Sequence, residues 1–159
     1  MQNFQEFLEN SLQQNIKKLV PLTGGASADI NRIILENNNE LIVRRSLSKE
    51  QSVMAVPKKL EAKIQRIVRS NDAPVPEIIF EFSEDEDIGE GYVMEAISGE
   101  TIPRKILRDD KYKNVRSKLS FEIGRSLATI HQTKLDELTD LNSVTFEESL
   151  KKLYLVYSS

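Results

Sequence analysis

The sequence contains no cysteine and no tryptophan, and its single histidine is His131. Without cysteine there are no disulfides, no thiolate nucleophile and no cysteine-ligated zinc, and one histidine cannot make a histidine-rich metal site. No stretch approaches the roughly 18 consecutive apolar residues of a membrane-spanning helix. The N-terminus lacks the basic start and apolar run of a secretion signal. These absences favour a soluble, cytoplasmic, globular domain.

The charges nearly balance, with 22 basic and 25 acidic residues and a net charge of -3. This balance gives no general attraction to nucleic acid or to anionic membranes, so neither is expected as a partner. The acidic run at 84–87 is interpreted as a solvated turn, because it lacks the alternation and the glycine of a calcium-binding loop. A length of 159 residues is typical of one domain.

Hydrophobic periodicity predicts helices and strands along most of the chain. Apolar residues at helical spacing predict helices over 3–14, 58–69 and 115–131 and a last one beginning near 146, and β-branched or apolar runs predict strands over 16–22, 30–35, 41–44, 78–82 and 92–97. The strands come in hairpins without regular βαβ alternation. This arrangement favours an α+β fold with an antiparallel sheet and one packed helix.

Six short motifs follow one another along residues 19–135. They are Leu22-Thr23-Gly24-Gly25-Ala26-Ser27, Leu41-Ile42-Val43-Arg44-Arg45, Leu60-Glu61, Ala73-Pro74-Val75-Pro76, the strand from Gly91 to Gly99, and Leu127-Ala128-Thr129-Ile130-His131. Each alone is common, but in this order they resemble the aminoglycoside-phosphotransferase family of small-molecule kinases. Within it they are similar to the branch of kinase-like domains attached to some acyl-CoA dehydrogenases.

The resemblance implies a protein-kinase-like N-terminal lobe. Such a lobe has a five-stranded antiparallel sheet with one packed helix, followed here by the first helices of a truncated C-terminal lobe. Residues 1–98 would be the nucleotide-binding lobe. Residues 99–159 would be the hinge exit and the start of an incomplete helical lobe.

The first motif would be the phosphate loop of that family. Gly24 and Gly25 let the backbone turn sharply and direct N–H groups at phosphate oxygens. Ser27 would add a hydroxyl or backbone donor. An ordinary hairpin turn is the open alternative.

The third strand and the next helix would supply a cation and its partner. Strand alternation places Ile42 and Arg44 on one face, where the resemblance implies that Ile42 contacts adenine and Arg44 the phosphates. Glu61 would hold Arg44 by a charge-assisted bond. The family usually has lysine in place of Arg44, and arginine is not its equivalent because it binds bidentately. Arg45 points the other way and is interpreted as a solvated surface charge, which is also the open alternative for Arg44 and Glu61.

Met94, Glu95 and Ala96 would form the hinge, where adenine bonds to main-chain groups. The apolar ceiling over the base is assigned to Leu22, Ile30 and Ile42. The alternative is that these side chains simply belong to the core. His131 would pack at the end of the first large-lobe helix in a structural role.

Two motifs expected of the family are missing. Residues 100–159 contain no His-Gly-Asp loop with a following asparagine and no Asp-Trp segment, so no catalytic residue and no metal ligand is assigned, and magnesium ligands are expected only in the missing part. We expect an ATP-binding lobe of a phosphotransferase for a hydroxyl-bearing metabolite or aminoglycoside-like compound, inactive by itself. The alternatives are a non-catalytic kinase-like module that binds nucleotide or protein, and an α+β domain with an accidental resemblance. The apolar face that would normally contact the large lobe is expected to be exposed, which predicts self-association.

Overall fold

The structure is a computed structural model that describes residues 3–22, 29–47, 56–83 and 87–134 together with 147, 148, 150, 151 and 154. Its elements in chain order are α1 (Phe4–Leu12), β1 (Ile16–Pro21), β2 (Asp29–Leu35), β3 (Glu40–Ser46), α2 (Lys58–Ser70), β4 (Ile78–Ser83), β5 (Glu90–Glu95), α3 (Pro103–Arg108), a 3₁₀ turn (Asp110–Tyr112) and α4 (Lys113–His131). Every predicted strand is present, with ends that differ by a few residues. Helix α3 and the 3₁₀ turn were not predicted.

The predicted five-stranded antiparallel sheet is confirmed, with strand order β1-β2-β3-β5-β4. The asparagine run between β2 and β3 closes their hairpin. Asn38 has a left-handed φ of 62°, a conformation that asparagine tolerates better than most residues, and the Asn39 N–H donates to Asn37 Oδ1 at 2.9 Å. This turn fixes the register of β3, in which Ile42 lies opposite Arg32 and Arg44 opposite Ile30.

Helix α1 covers one face of the sheet. Leu8, which is fully buried, packs with Ile33, Val43 and Val93 in the main core cluster. Glu9 ties the helix to β1, because its carboxylate accepts the Ile16 N–H at 2.9 Å. The sheet thus carries a second helix besides the single packed helix of the prediction.

Docking of α1 also shows that the prediction for Arg45 was wrong. Its side chain is only 13% exposed and pairs with Asp29 through Nε at 2.7 Å. Its guanidinium lies 3.5 Å from the centroid of the Phe4 ring, a cation–π distance. Arg45 does point away from Arg44, but α1 covers that face and removes the side chain from solvent.

Helix α2 packs on the opposite face and corresponds to the packed helix of the prediction. Its Ala62 is buried against Ile78 and Tyr92, with Met94 at the edge of the cluster. The proline bend between α2 and β4 is held by the helix itself. The Gln65 Nε2 donates to Pro76 O at 2.7 Å and the Arg69 Nη1 donates to Val75 O at 2.6 Å.

The helices after the sheet leave many apolar side chains exposed. Helix α4 has no buried residue, and Phe121 and Ile123 are 73% and 51% exposed. His131 ends α4 with an exposed side chain, so the packed position expected of it is not seen in the described part of the chain. None of the helices described is long and apolar enough to span a membrane. The division of the chain at residue 98 stays a prediction.

Candidate functional site

Arg44 and Glu61 meet between the sheet and α2. The Arg44 Nε donates to Glu61 Oε2 at 3.0 Å, and each side chain is 24% exposed. The predicted contact is therefore present, and the alternative of two solvated charges does not hold. Arg44 is aligned by its register in β3, where it lies opposite Tyr92 of β5. Its Nη groups have no hydrogen-bond partner among the residues described.

Two further donors, which the sequence did not reveal, complete the environment of Glu61. Lys58, whose side chain is 6% exposed, donates from Nζ to Glu61 Oε1 at 2.7 Å. The Tyr92 hydroxyl donates to Glu61 Oε2 at 3.2 Å. The i, i+3 spacing of Lys58 and Glu61 on one helix was the available signal. That spacing indicates a contact with Glu61, but nothing in the sequence indicated that Lys58 would be buried while its neighbour Lys59 stays exposed.

The ionisation of Glu61 and Tyr92 reflects this arrangement. Burial by itself would raise the pKa of Glu61, but hydrogen bonds from Lys58 and Arg44 and the charges of both residues outweigh it, so the pKa lies below its usual value. Burial, with the negative charge of Glu61, raises the pKa of Tyr92 to about 12. The site therefore holds a stable carboxylate and a neutral phenol that donates to it.

The first turn of α2 is anchored to β5. Helix α2 has Pro57 at its N-cap and no side-chain cap of its own. The carboxylate of Glu90 accepts the Lys59 N–H at 2.8 Å and so satisfies one of the unpaired N–H groups of that end. Because Lys58 and Glu61 lie in the same turn, this contact helps to set where both side chains reach.

One concavity includes this cluster in its lining. A cavity of about 560 Å³ is lined by Arg44, Glu61 and Tyr92. The rest of its lining comes from α2, the proline bend, Met94 and Ile130. A few polar groups thus share a largely apolar space that could receive a ligand, as in many binding sites.

A second, more polar cleft of about 320 Å³ lies at the end of β5. Ile42 and Ala96 line it, together with the Arg32–Glu40 ion pair. Ile42, which lines this cleft, lies opposite Met94, which lines the larger cavity, in the register of β3 with β5.

Other predicted site residues that the structure describes do not line the cavity or the cleft. Glu95 is exposed, and its N–H is committed to Glu77 O at 2.9 Å. Ile30 shares the face of Arg44, its partner in the β2–β3 register, and its carbonyl accepts the Leu22 N–H at 2.9 Å. Three more predicted site residues lie outside the described residues, namely Gly24, Gly25 and Ser27. The roles of all these residues in binding nucleotide stay predictions.

The acidic turn at 84–87 lies mostly outside the residues that the structure describes. Within the described ranges, no cluster of three or more acidic or histidine side chains could hold a metal ion.

Comparison with known proteins places the chain in a family. No curated protein matches it. A family model, the phosphotransferase enzyme family, matches residues 18–151. The match includes four whole strands (β2 to β5), β1 from residue 18 onward, α2 and the Arg44–Glu61 pair. The chain therefore belongs to the phosphotransferase enzyme family.

Proposed function

We propose that this chain is the ATP-binding lobe of a phosphotransferase that acts on a hydroxyl-bearing small molecule. The observation that carries the proposal is the Arg44–Glu61 ion pair, 3.0 Å between Nε and Oε2, in the lining of an open cavity. Phosphoryl transfer depends on positioning and on neutralising phosphate charge. A guanidinium held at one edge by a carboxylate leaves its other donors for an anion.

The two concavities fit the two ends of a nucleotide. The cleft beside Ala96 offers the apolar side chain of Ile42 and the main chain that follows β5, which suits a planar base. Arg44, two residues further along β3 on the same face, suits the phosphates. ATP supplies the transferred phosphoryl group when bound. The residues described here bind and orient it.

We also propose that these 159 residues alone do not transfer phosphate. The sequence lacks the His-Gly-Asp and Asp-Trp segments expected of the family, which would supply the carboxylate at the substrate hydroxyl and the magnesium ligands. The substrate class is proposed from the family, whose members phosphorylate hydroxyl-bearing compounds.

Calorimetric titration of the chain with ATP and with adenosine tests the nucleotide role. We expect Arg44→Ala to weaken ATP binding about tenfold or more and adenosine binding little, because the removed group faces phosphate. The matched control is Arg66→Ala, which breaks another arginine–glutamate pair between α2 and the sheet, at 3.2 Å from Glu81. Equal losses in the two variants, or no ATP binding by the wild-type chain, would contradict the proposal.

The exposed apolar side chains of α3 and α4 favour a second candidate, a non-catalytic kinase-like module that binds protein. Leu107 and Phe121 are 65% and 73% exposed, and such surfaces commonly mark interaction sites. This candidate requires no nucleotide. A chain that ignores ATP but self-associates or captures a protein through α4 would support it over the first.

A further inference from the structure

Glu61 carries one negative charge and contacts two positive ones. Its Oε2 accepts from Arg44 at 3.0 Å and its Oε1 from Lys58 at 2.7 Å. The lowered pKa of Glu61 means that its charge is present at neutral pH. An Arg44–Glu61 pair alone would be neutral overall, whereas the trio with Lys58 carries a net charge of one positive unit.

The net charge of these side chains matters at a phosphate site, because the ligand is a polyanion. A guanidinium whose charge is cancelled by an adjacent carboxylate attracts phosphate only through the geometry of its remaining donors. A second cation on the same carboxylate restores a positive potential over the whole cluster. At the low effective dielectric of a partly buried site, this potential acts on a ligand several ångströms away.

We propose that Lys58 is a second cation of the phosphate site, which supplies the excess positive charge that the Arg44–Glu61 pair lacks. This inference rests on the proposed nucleotide-binding function and adds a residue to it. Lys58 acts from α2 while Arg44 acts from β3, so the carboxylate of Glu61 joins the two cations. Lys58 is a positioning residue in this account, since it acts through Glu61 and through its field.

A purely structural role explains Lys58 less well. Glu61 already has two other donors, Arg44 Nε and the Tyr92 hydroxyl, so it does not need an ammonium group to be satisfied. Burying a lysine to 6% exposure costs desolvation free energy, and replacing a buried ion pair with apolar residues is often neutral or stabilising. The nearby Glu90 carboxylate accepts the Lys59 N–H at 2.8 Å, at the positive end of α2.

The test compares Lys58→Gln with Lys59→Gln in the intact 159-residue chain. Both variants lose one lysine charge from the first turn of α2, but Lys58 is buried at Glu61 and Lys59 is exposed. Dissociation constants are measured for adenosine, AMP, ADP and ATP. We expect Lys58→Gln to leave adenosine binding unchanged and to weaken binding progressively with each phosphate, reaching about tenfold for ATP. Lys59→Gln should change ATP binding less than about twofold. Lys58→Arg, which keeps the charge, should restore most of the ATP affinity.

The outcomes distinguish a failure of the proposed role of Lys58 from a failure of the proposed ATP binding. If the wild-type chain does not bind ATP, both are overturned. If ATP binds but Lys58→Gln weakens all four ligands equally, or no more than Lys59→Gln does, the inference fails and the proposed function stands. If Lys58→Gln does not fold, the lysine Nζ resonances of the wild-type chain are followed by NMR instead. ATP must then shift the Lys58 signal and adenosine must not; a Lys58 signal that ATP leaves in place refutes the inference.

Discussion

Substitution of Glu61 by glutamine should destabilise the protein more than any other single change in the cluster. The carboxylate is the common acceptor for Arg44, Lys58 and Tyr92. Without that charge, the buried Lys58 ammonium loses its counter-ion, and its other described contact, with the Val56 carbonyl, is long at 3.4 Å. A buried charge left without its counter-ion is among the costliest defects a substitution can create.

The magnitude follows from burial and from the number of donors. Removing one partner of a fully buried ion pair costs about 3–5 kcal/mol. Glu61 is 24% exposed and glutamine can still accept one hydrogen bond, so we expect a loss of about 2–3 kcal/mol in the free energy of unfolding. Lys58→Met should cost less than about 1 kcal/mol, because Glu61 keeps two donors and methionine fills the buried space. Substitution of Glu61 should thus lower the free energy of unfolding clearly more than substitution of Lys58, although the two residues form one ion pair.

Urea unfolding followed by far-ultraviolet circular dichroism measures this difference, since the chain has no tryptophan to report by fluorescence. The set comprises the wild type, both single variants and the double variant Lys58→Met with Glu61→Gln. We expect the double variant to be more stable than Glu61→Gln alone, because it no longer contains a stranded ammonium. Glu77→Gln is the control, since that glutamate is 60% exposed in a loose pair with Arg69. A Glu61→Gln variant within about 0.5 kcal/mol of the wild type, or one less costly than Lys58→Met, would refute the reasoning.

The wild type and Glu61→Gln should also differ in how their stability depends on pH. The folded-state pKa of Glu61 lies below the ordinary 4.5, so the stability that its charge contributes is complete above that value and is lost as the pH falls through the lower folded pKa. The stability difference between the wild type and Glu61→Gln should therefore narrow as the pH falls from the ordinary 4.5 through the lowered folded-state pKa of Glu61. A difference that stays constant over this range would show that the Glu61 pKa is not lowered by folding.

Three other predictions concern the sheet and its two sides. A Cβ at Gly91 would lie 2.6 Å from a carbonyl oxygen of β3, so Gly91→Ala should cost about 2–3 kcal/mol in urea unfolding, whereas Gly99→Ala, with nothing within 4 Å, should cost little. Arg45→Met should lower the free energy of unfolding by about 1 kcal/mol, because it removes a cation–π contact and an ion pair. Arg32→Met, which removes only an exposed ion pair, should lower it less. Equal losses would contradict the low exposure of the Arg45 side chain. We expect the chain to self-associate through α4 and Phe121→Ser to weaken that association about tenfold in sedimentation experiments, an expectation that a monomeric wild-type chain would overturn.

The sequence was sufficient to predict the features that depend on the local pattern of residues. Strand alternation placed Ile42 and Arg44 on one face, and the register of β3 confirms it. The pairing of Arg44 with Glu61 came from the resemblance, which supplied the long-range relation that periodicity alone cannot give. Helix α3 was not predicted, because the six residues of Pro103–Arg108 are too few to show a helical period.

The environment of a charged side chain was harder to predict than its position. Lys58 is buried and Arg45 is only 13% exposed, yet each has a similar neighbour in the sequence, Lys59 and Arg44 respectively. Which of two adjacent charges leaves solvent depends on what packs over it: α1 in the case of Arg45, and the Glu61 contact in the case of Lys58. Most charged residues remain exposed, so this general expectation gave the wrong result for Arg45 and left Lys58 unnoticed.

The position of α2 decides whether the cluster exists at all. Glu61 of α2 reaches Arg44 of β3 only while the helix stays in place against β4 and β5, and the helix is attached to other parts of the chain at two points. Glu90 holds the first turn through the Lys59 N–H, and Gln65 holds the later turns through Pro76 O at 2.7 Å. A shift of α2 by one residue would move it about 1.5 Å along its axis and rotate Glu61 by about 100°, enough to break the 3.0 Å contact with Arg44. The charge arrangement at the cavity is therefore a property of how helix and sheet are joined, and any ligand that binds Arg44 while it is paired with Glu61 should also stabilise that junction.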